Sequence, residues 1–108
     1  MKSVSPNIFV RDIQATIDFY RQLGFEVVTT VPEQGDLIFA MMVCGEVTFM
    51  FQTFESLGDD LPTVLRQNGG SLLLYIQTSG IRRFFFHIKS RVKVVKPLEK
   101  TFYGATEF

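Results

Sequence analysis

The stretch NIFVRDIQATIDFYRQLGFEVV, residues 7–28, predicts a strand, a helix and a second strand in succession. Alternation over Val4–Val10 indicates the first strand, with Ile8 and Val10 on one face and Ser5, Asn7 and Phe9 on the other. Asp12 suits the N-cap, because its carboxylate can accept a hydrogen bond from a free amide of the first turn. An apolar stripe marks the helix: Ile13, Ile17, Tyr20 and Leu23. Gly24 ends it, since glycine adopts the left-handed conformation at little cost, and Phe25–Thr30 forms the next strand.

Two further strands follow a turn at Pro32–Asp36 and are predicted to form a hairpin over Leu37–Val43 and Val47–Gln52. With Cys44 and Gly45 as the turn residues, Val43 lies opposite Glu46, and directly opposed residues share a face. One face is then mixed, as ligand clefts often are: Leu37, Phe39, Met41, Thr48, Met50 and Gln52. The other face is wholly apolar and suits a core packed by a helix: Ile38, Ala40, Met42, Val47, Phe49 and Phe51.

The remainder of the chain repeats this order of elements, with little identity between corresponding residues. We expect a polar loop at Phe54–Asp60, a short helix at Leu61–Gln67 and a chain break at Asn68-Gly69-Gly70. The second copy is then predicted to have a strand over Ser71–Thr78, a helix marked by Ile81, Phe84, Phe85 and Ile88, a strand over Val92–Val95 and the start of another strand within Thr101–Phe108.

Composition limits the class of protein. A chain of 108 residues that is 46% hydrophobic and 20% charged is long and apolar enough to fold around a core. We expect a single domain, 1–108, with module one over about residues 1–67 and module two over about residues 68–108. The single cysteine, Cys44, forms no internal disulfide. With no run typical of a signal peptide or membrane span, we expect a cytoplasmic protein.

Charge is unevenly distributed although the formal net charge is zero. Residues 1–66 carry four Lys/Arg and nine Asp/Glu, whereas residues 67–108 carry seven and two. Three interpretations stay open: attraction between opposite halves of two chains, a basic end that faces a ligand, or ordinary solvated surfaces. The basic stretch Arg82–Lys100 is interleaved with apolar residues and no nucleic-acid motif accompanies it, so we expect no nucleic-acid partner.

The first module resembles the opening of the vicinal oxygen chelate superfamily, also called the glyoxalase/bleomycin-resistance/dioxygenase superfamily. The resemblance is carried by Val10 and Asp12 at the end of the strand, by Ile17-Asp18-Phe19-Tyr20 and by Leu23-Gly24-Phe25. GEVTFMFQ, residues 45–52, is similar to the family's fourth strand. The resemblance implies an α+β fold in which two βαβββ modules, the second incomplete, form a curved mixed sheet with helices on the convex face.

The resemblance also implies where metal ligands would lie in metal-using members, which place His, Gln or Glu on the inner face of the sheet. The corresponding positions here are Ser5, Met50 and, in module two, a position near Leu73, and the family's last strand is absent from the sequence. Serine, methionine and leucine make no ordinary divalent-metal site. We therefore expect no metal and no other cofactor. His87 is expected at a helix surface or core edge, and Cys44 has no evident activating neighbour.

The resemblance therefore favours a metal-independent protein that binds a small molecule, similar to proteins that sequester antibiotics or toxins. The residues expected to line its cleft supply stacking area and uncharged hydrogen-bonding groups: Asn7, Phe9, Phe39, Met41, Met50, Gln52, Tyr75 and Gln77. No catalytic residue is predicted. Two alternatives stay open, a metal-dependent glyoxalase- or dioxygenase-like enzyme and a truncated structural or interaction module without a ligand. Because the missing strand leaves a sheet edge unpaired, we also expect a homodimer that covers this edge.

Overall fold

The computed structural model describes residues 1–59 and 72–108. The chain divides into two compact units, Met1–Leu72 and Leu73–Phe108. That the two modules form one domain stays a prediction. In the described part of the chain, no helix combines the length and the apolar character needed to cross a membrane.

The first unit is a mixed four-stranded sheet with helices, so the α+β class and the βαβββ order of module one are confirmed. The strands lie in the order β1-β4-β3-β2, with β1 parallel to β4 and the other pairs antiparallel. The elements are β1 (Asn7–Val10), α1 (Ile13–Gln22), β2 (Glu26–Val31), β3 (Phe39–Cys44), β4 (Val47–Thr53) and α2 (Phe54–Leu57).

Both ends of α1 are fixed by residues that the sequence indicated. The Asp12 carboxylate accepts a hydrogen bond from the Ala15 amide at 3.0 Å, which satisfies one of the free donors of the first turn. At the other end Gly24 has φ +98, and the Gly24 and Phe25 amides donate to the carbonyls of Arg21 and Tyr20. This is the Schellman arrangement, in which a glycine in the left-handed region turns the chain out of the helix.

Aromatic rings join α1 to one face of the sheet. Tyr20 lies with its ring centroid 5.4 Å from Phe25, 5.7 Å from Phe49 and 4.9 Å from Phe51. Burial raises the pKa of the Tyr20 phenol above its ordinary value. The fully buried or nearly buried side chains around this cluster are Ile13, Ile17, Phe25, Ala40, Met42, Phe49 and Phe51. The core of the first unit therefore lies between α1 and this face.

The hairpin register differs from the prediction by two residues. Met41 pairs with Met50 and Phe39 with Gln52, and Cys44 pairs with Val47, so the turn consists of Gly45 and Glu46. Gly45 has φ +58, and two-residue hairpin turns commonly require a positive φ, which glycine supplies. Cys44 thus belongs to β3 and not to the turn. Because side chains alternate with a period of two, a shift of two leaves every residue on its predicted face.

The segment after β4 is a helical turn and not the predicted polar loop. Thr53 caps α2, since its hydroxyl oxygen accepts a hydrogen bond from the Ser56 amide at 3.1 Å. The prediction missed a capping threonine followed by Glu55 in the first turn, a typical sequence signal of a helix start. The predicted helix Leu61–Gln67 and the break at residues 68–70 lie outside the described residues.

The second unit contains the predicted helix, α3 (Ile81–Ile88), and a short hairpin, β5 (Glu99–Lys100) with β6 (Thr106–Glu107). Phe108 packs on α3, with its ring centroid 4.8 Å from that of Phe85. The hairpin forms where a single further strand was expected. A hydrogen bond from the Tyr103 hydroxyl to the Glu107 carboxylate, 2.8 Å long, raises the pKa of Tyr103.

Two predicted strands of the second module are wrong where the structure describes them. Leu72–Thr78 and Val92–Val95 have no strand structure. Leu73 and Val95 are 90% and 85% exposed, so these side chains lack the packing on which strand preference depends. A strand needs a neighbouring strand to accept and donate its backbone hydrogen bonds. The apolar pattern of a sequence does not show whether such a neighbour exists.

The aromatic contacts of α1 predict the cost of truncating the core. Phe51→Ala should lower the free energy of unfolding by about 3–5 kcal/mol, because Phe51 is fully buried and its removal leaves a cavity. Phe19→Ala on α1 is the matched control, since the Phe19 side chain is 42% exposed. Urea unfolding followed by circular dichroism measures both. Equal losses for the two variants would contradict the assignment of the core.

Candidate functional site

The sheet face opposite α1 brings together six of the predicted cleft residues. β1 runs beside β4 with Asn7 opposite Met50 and Phe9 opposite Gln52, and directly opposed residues share a face. Pairing of β3 with β4 adds the remaining two. We call this surface the site face and define it by Asn7, Phe9, Phe39, Met41, Met50 and Gln52.

Exposure of the site face contrasts with that of the α1 face. Asn7 is exposed and the other five residues of the site face are half-buried. On the α1 face, by contrast, Ala40, Met42 and Phe51 have no exposed surface. β2 extends the site face, because Thr29 pairs with Met41 and Val31 with Phe39.

A hydrogen bond between two amides lies on the site face. Asn7 Nδ2 donates to Gln52 Oε1 at 3.0 Å. The two residues are diagonal neighbours on β1 and β4, a separation that long side chains can bridge. The bond holds both amides in place and leaves Asn7 Oδ1 as an acceptor and Gln52 Nε2 as a donor. The face therefore offers uncharged hydrogen-bonding groups beside apolar area.

Helix α2 contributes a ring that the sequence analysis did not include. The centroid of Phe54 lies 6.0 Å from that of Phe9, within the range of aromatic pairs. Because the sequence predicts a loop over Phe54–Asp60, Phe54 is not among the predicted cleft residues. Recognition of Thr53 as a helix cap would have indicated that Phe54 begins α2 beside the end of β4.

Tyr75 and Gln77 do not lie on the four-stranded sheet. Both belong to the second unit, in a segment without regular secondary structure, and both are exposed. The strand that was expected to present them is absent from Leu72–Thr78. Their part in ligand binding therefore stays a prediction.

The residues at the family's metal positions do not fit a divalent metal ion. Ser5 offers a hydroxyl and Met50 a thioether, and Leu73, near the third expected position, offers no donor. Divalent ions in such sites take imidazole, carboxylate or thiolate ligands. Within residues 1–59 and 72–108, no group of three or more His, Cys, Asp or Glu side chains is placed to hold an ion.

Cys44 and His87, the single cysteine and the single histidine of the sequence, are not among the residues that define the site face. Cys44 is half-buried at the end of β3, on the side of the sheet that packs against α1, as its pairing with Val47 shows. A methyl group built on Gly24 would lie 3.7 Å from the Cys44 sulfur, which places the thiol at the turn after α1. His87 is exposed on α3, as the sequence analysis expected.

Two surface grooves occur elsewhere in the described residues. One is lined by Arg21, Gly24, Phe25, Glu26 and Val27, at the turn after α1. The other lies at the start of α3 and is lined by Thr78, Ser79, Gly80, Arg83, Phe84 and His87. Neither includes a residue of the site face. The site face is identified by its residue chemistry.

Comparison with known proteins defines the family. The model of the Glyoxalase/Bleomycin resistance protein/Dioxygenase superfamily matches residues 3–108, and the chain belongs to this superfamily. No curated protein matches.

Solved structures with this fold carry names that indicate different functions. TioX from Micromonospora sp. ML1 is 17% identical with a TM-score of 0.72, and the match covers 98% of this chain and 85% of TioX. A bleomycin-binding protein complexed with bleomycin is 19% identical with a TM-score of 0.57, and the shares covered are 98% and 85%. A lactoylglutathione lyase from Agrobacterium tumefaciens is 13% identical with a TM-score of 0.64, and the shares are 98% and 82%. At these identities the likeness shows the fold alone.

The methionines test the assignment of the two faces. Met41 and Met50 are half-buried on the site face, whereas Met42 is fully buried on the α1 face. Mild hydrogen peroxide should therefore convert Met41 and Met50 to the sulfoxide faster than Met42, because oxidation follows exposure. Peptide mapping by mass spectrometry measures each rate, and Met1, at the exposed terminus, serves as the fully accessible reference. Oxidation of Met42 as fast as Met41 would contradict the assignment of the two faces.

Proposed function

We propose that this protein binds a small organic molecule on the site face and needs no metal ion to do so. The observation that carries the proposal is the chemistry of this face. It combines two phenylalanines, two methionines and a bonded pair of amides, and none of its six defining residues is charged. Such a mixture of apolar area and a few fixed polar groups is typical of ligand sites.

The comparisons support binding of a small molecule by this fold, but they do not identify the ligand of this chain. One neighbour of the same fold was solved in complex with bleomycin, so the fold is compatible with holding a small molecule. The present chain has no formal net charge and hence no bulk acidic field to attract a cationic drug. We therefore do not assign bleomycin. We further propose that Tyr75 and Gln77, both exposed in the second unit, take part in ligand binding.

The metal-dependent alternative predicts a different outcome. A glyoxalase- or dioxygenase-like enzyme would require a bound divalent ion, and the side chains of Ser5, Met50 and Leu73 do not provide a ligand set for one. Under the present proposal, dialysis against EDTA leaves ligand binding unchanged. Loss of binding on chelation, with recovery on adding a divalent metal, would favour the enzyme.

Methionine methyl groups report directly on binding to the site face. In protein labelled with ¹³C at the methionine methyls, the neutral aromatic probe N-phenyl-1-naphthylamine should shift the Met41 and Met50 signals, which lie on the site face. The Met42 signal should stay unchanged, because Met42 is buried on the α1 face. Titration followed by NMR measures all of these signals in one sample.

Two results would contradict the proposal. A probe that shifts none of the methionine signals would favour the structural module without a ligand. A probe that shifts Met42 alone would place the site within the α1 core. Phe39→Ala should weaken the Met41 shifts, since it removes stacking area beside Met41, whereas the exposed Phe102→Ala in the second unit serves as the control.

We also propose that the protein is a homodimer. Among the described strands of the first unit, β1 and β2 lie at the edges of the sheet, and edges are commonly covered by another chain. The excess of acidic residues over 1–66 and of basic residues over 67–108 would favour contact between opposite halves of two copies. The cytoplasmic location likewise stays a prediction.

The dimer proposal has a direct measurement. Size-exclusion chromatography with light scattering should give twice the chain mass of 12.4 kDa. Raising the salt concentration should shift the equilibrium toward monomer, because screening weakens attraction between exposed charges. A mass of one chain at every salt and protein concentration would contradict the dimer.

A further inference from the structure

The bonded amides of Asn7 and Gln52 indicate the chemical class of the ligand. We propose that the site face selects neutral, flat aromatic molecules that carry an amide group, and that Asn7 and Gln52 recognise the amide. This inference rests on the function proposed above, since it specifies what the same face binds. It adds a selectivity that the fold and the family do not assign.

The free atoms of the two amides match an amide in the ligand. With Asn7 Nδ2 donating to Gln52 Oε1, the Gln52 Nε2 donor and the Asn7 Oδ1 acceptor have no partner within residues 1–59 and 72–108. A carboxamide or lactam carries one acceptor and at least one donor, so it can bond to both. The mutual hydrogen bond reduces the freedom of the two side chains before the ligand arrives, which lowers the cost of binding.

The absence of charge on this face argues against an ionised ligand. None of the six residues that define it is charged. Pairing of β2 with β3 places Glu26 opposite Val43, beside the site face. Glu26 is acidic and would therefore not attract an anion. A carboxylate bound here would give up hydration without a cation to replace it. A neutral amide exchanges hydrogen bonds with water for equivalent ones with Asn7 and Gln52.

The apolar residues around the amides favour an aromatic body. Phe9 lies opposite Gln52 on β1, and Phe39 lies opposite Gln52 on β3. The amide of Gln52 is therefore flanked by an aromatic residue on each side. The neighbouring pair of Met41 and Met50 adds thioethers, which make favourable contacts with aromatic rings and adapt to their shape.

Three naphthalene probes separate these contributions: naphthalene-2-carboxamide, naphthalene-2-carboxylate and 2-methylnaphthalene. Each is titrated into the full chain with labelled methionine methyls, and the dissociation constant is taken from the Met41 and Met50 shifts. The carboxamide should bind the wild-type protein about tenfold more tightly than the carboxylate, because the carboxylate loses hydration without gaining a cation.

Substitution of Gln52 tests recognition of the amide. Gln52→Leu should weaken binding of naphthalene-2-carboxamide about three- to tenfold, the effect of losing one or two neutral hydrogen bonds, and should leave 2-methylnaphthalene unchanged. Gln34→Leu is the matched control, since Gln34 is exposed in the turn before β3 and lies outside the site face. Asn7→Leu should show the same selective loss, which guards against misfolding of a single variant, and circular dichroism checks the fold of each.

The possible results separate recognition of the amide from binding to the site face as such. If Gln52→Leu weakens the carboxamide and 2-methylnaphthalene equally, amide recognition is wrong while binding to the site face stands. Equal affinity of the wild-type protein for the carboxamide and the carboxylate would overturn the selection of neutral ligands. If none of the three probes shifts Met41 or Met50, binding to the site face fails and the inference fails with it.

Discussion

The packing of α1 against one face of the sheet is the constraint on which the rest of the first unit depends. Tyr20 contacts Phe25, Phe49 and Phe51, and the residues beneath the helix are nearly or fully buried. Because side chains along a strand alternate between faces, closing one face with a helix determines which residues remain on the other. The site face is thus a consequence of the core. If a strand slipped by one residue, all of its side chains would change faces, and core residues would replace those of the site face.

The same alternation explains how much of the site could be predicted from sequence. The hairpin pairing was wrong by two residues, since the turn lies at Gly45-Glu46, yet all six residues of the site face were assigned correctly to one side. A shift of β4 by one residue would have moved Met50 and Gln52 into the core. The apolar set around Phe49 and Phe51 excludes that shift, because it would leave these rings in water. Face assignment is therefore more robust than register when one face is wholly apolar.

The second half was predicted less well because its elements depend on partners. The helix α3 was found from the local spacing of Ile81 and Ile88, as helices are held by bonds within the segment. A strand needs a second strand for its backbone hydrogen bonds. The apolar patterns over Ser71–Thr78 and Val92–Val95 do not indicate which strand that would be. The segments described there are not strands. This limits what the sequence reveals of Tyr75 and Gln77, whereas the hydrogen bond of Asn7 to Gln52 follows from the pairing of β1 with β4.

Membership of the superfamily goes with the fold but does not define the chemistry of this chain. The resemblance described above implies that Met50 stands where metal-using members carry a carboxylate, and Met50 lies between Asn7 on β1 and Met41 on β3. A carboxylate at this centre would need a cation to offset its desolvation. A thioether needs none, and it sits beside amides that are already bonded to each other. The thioether of Met50 and the bonded amides of Asn7 and Gln52 are consistent with each other, since both leave this part of the site face neutral.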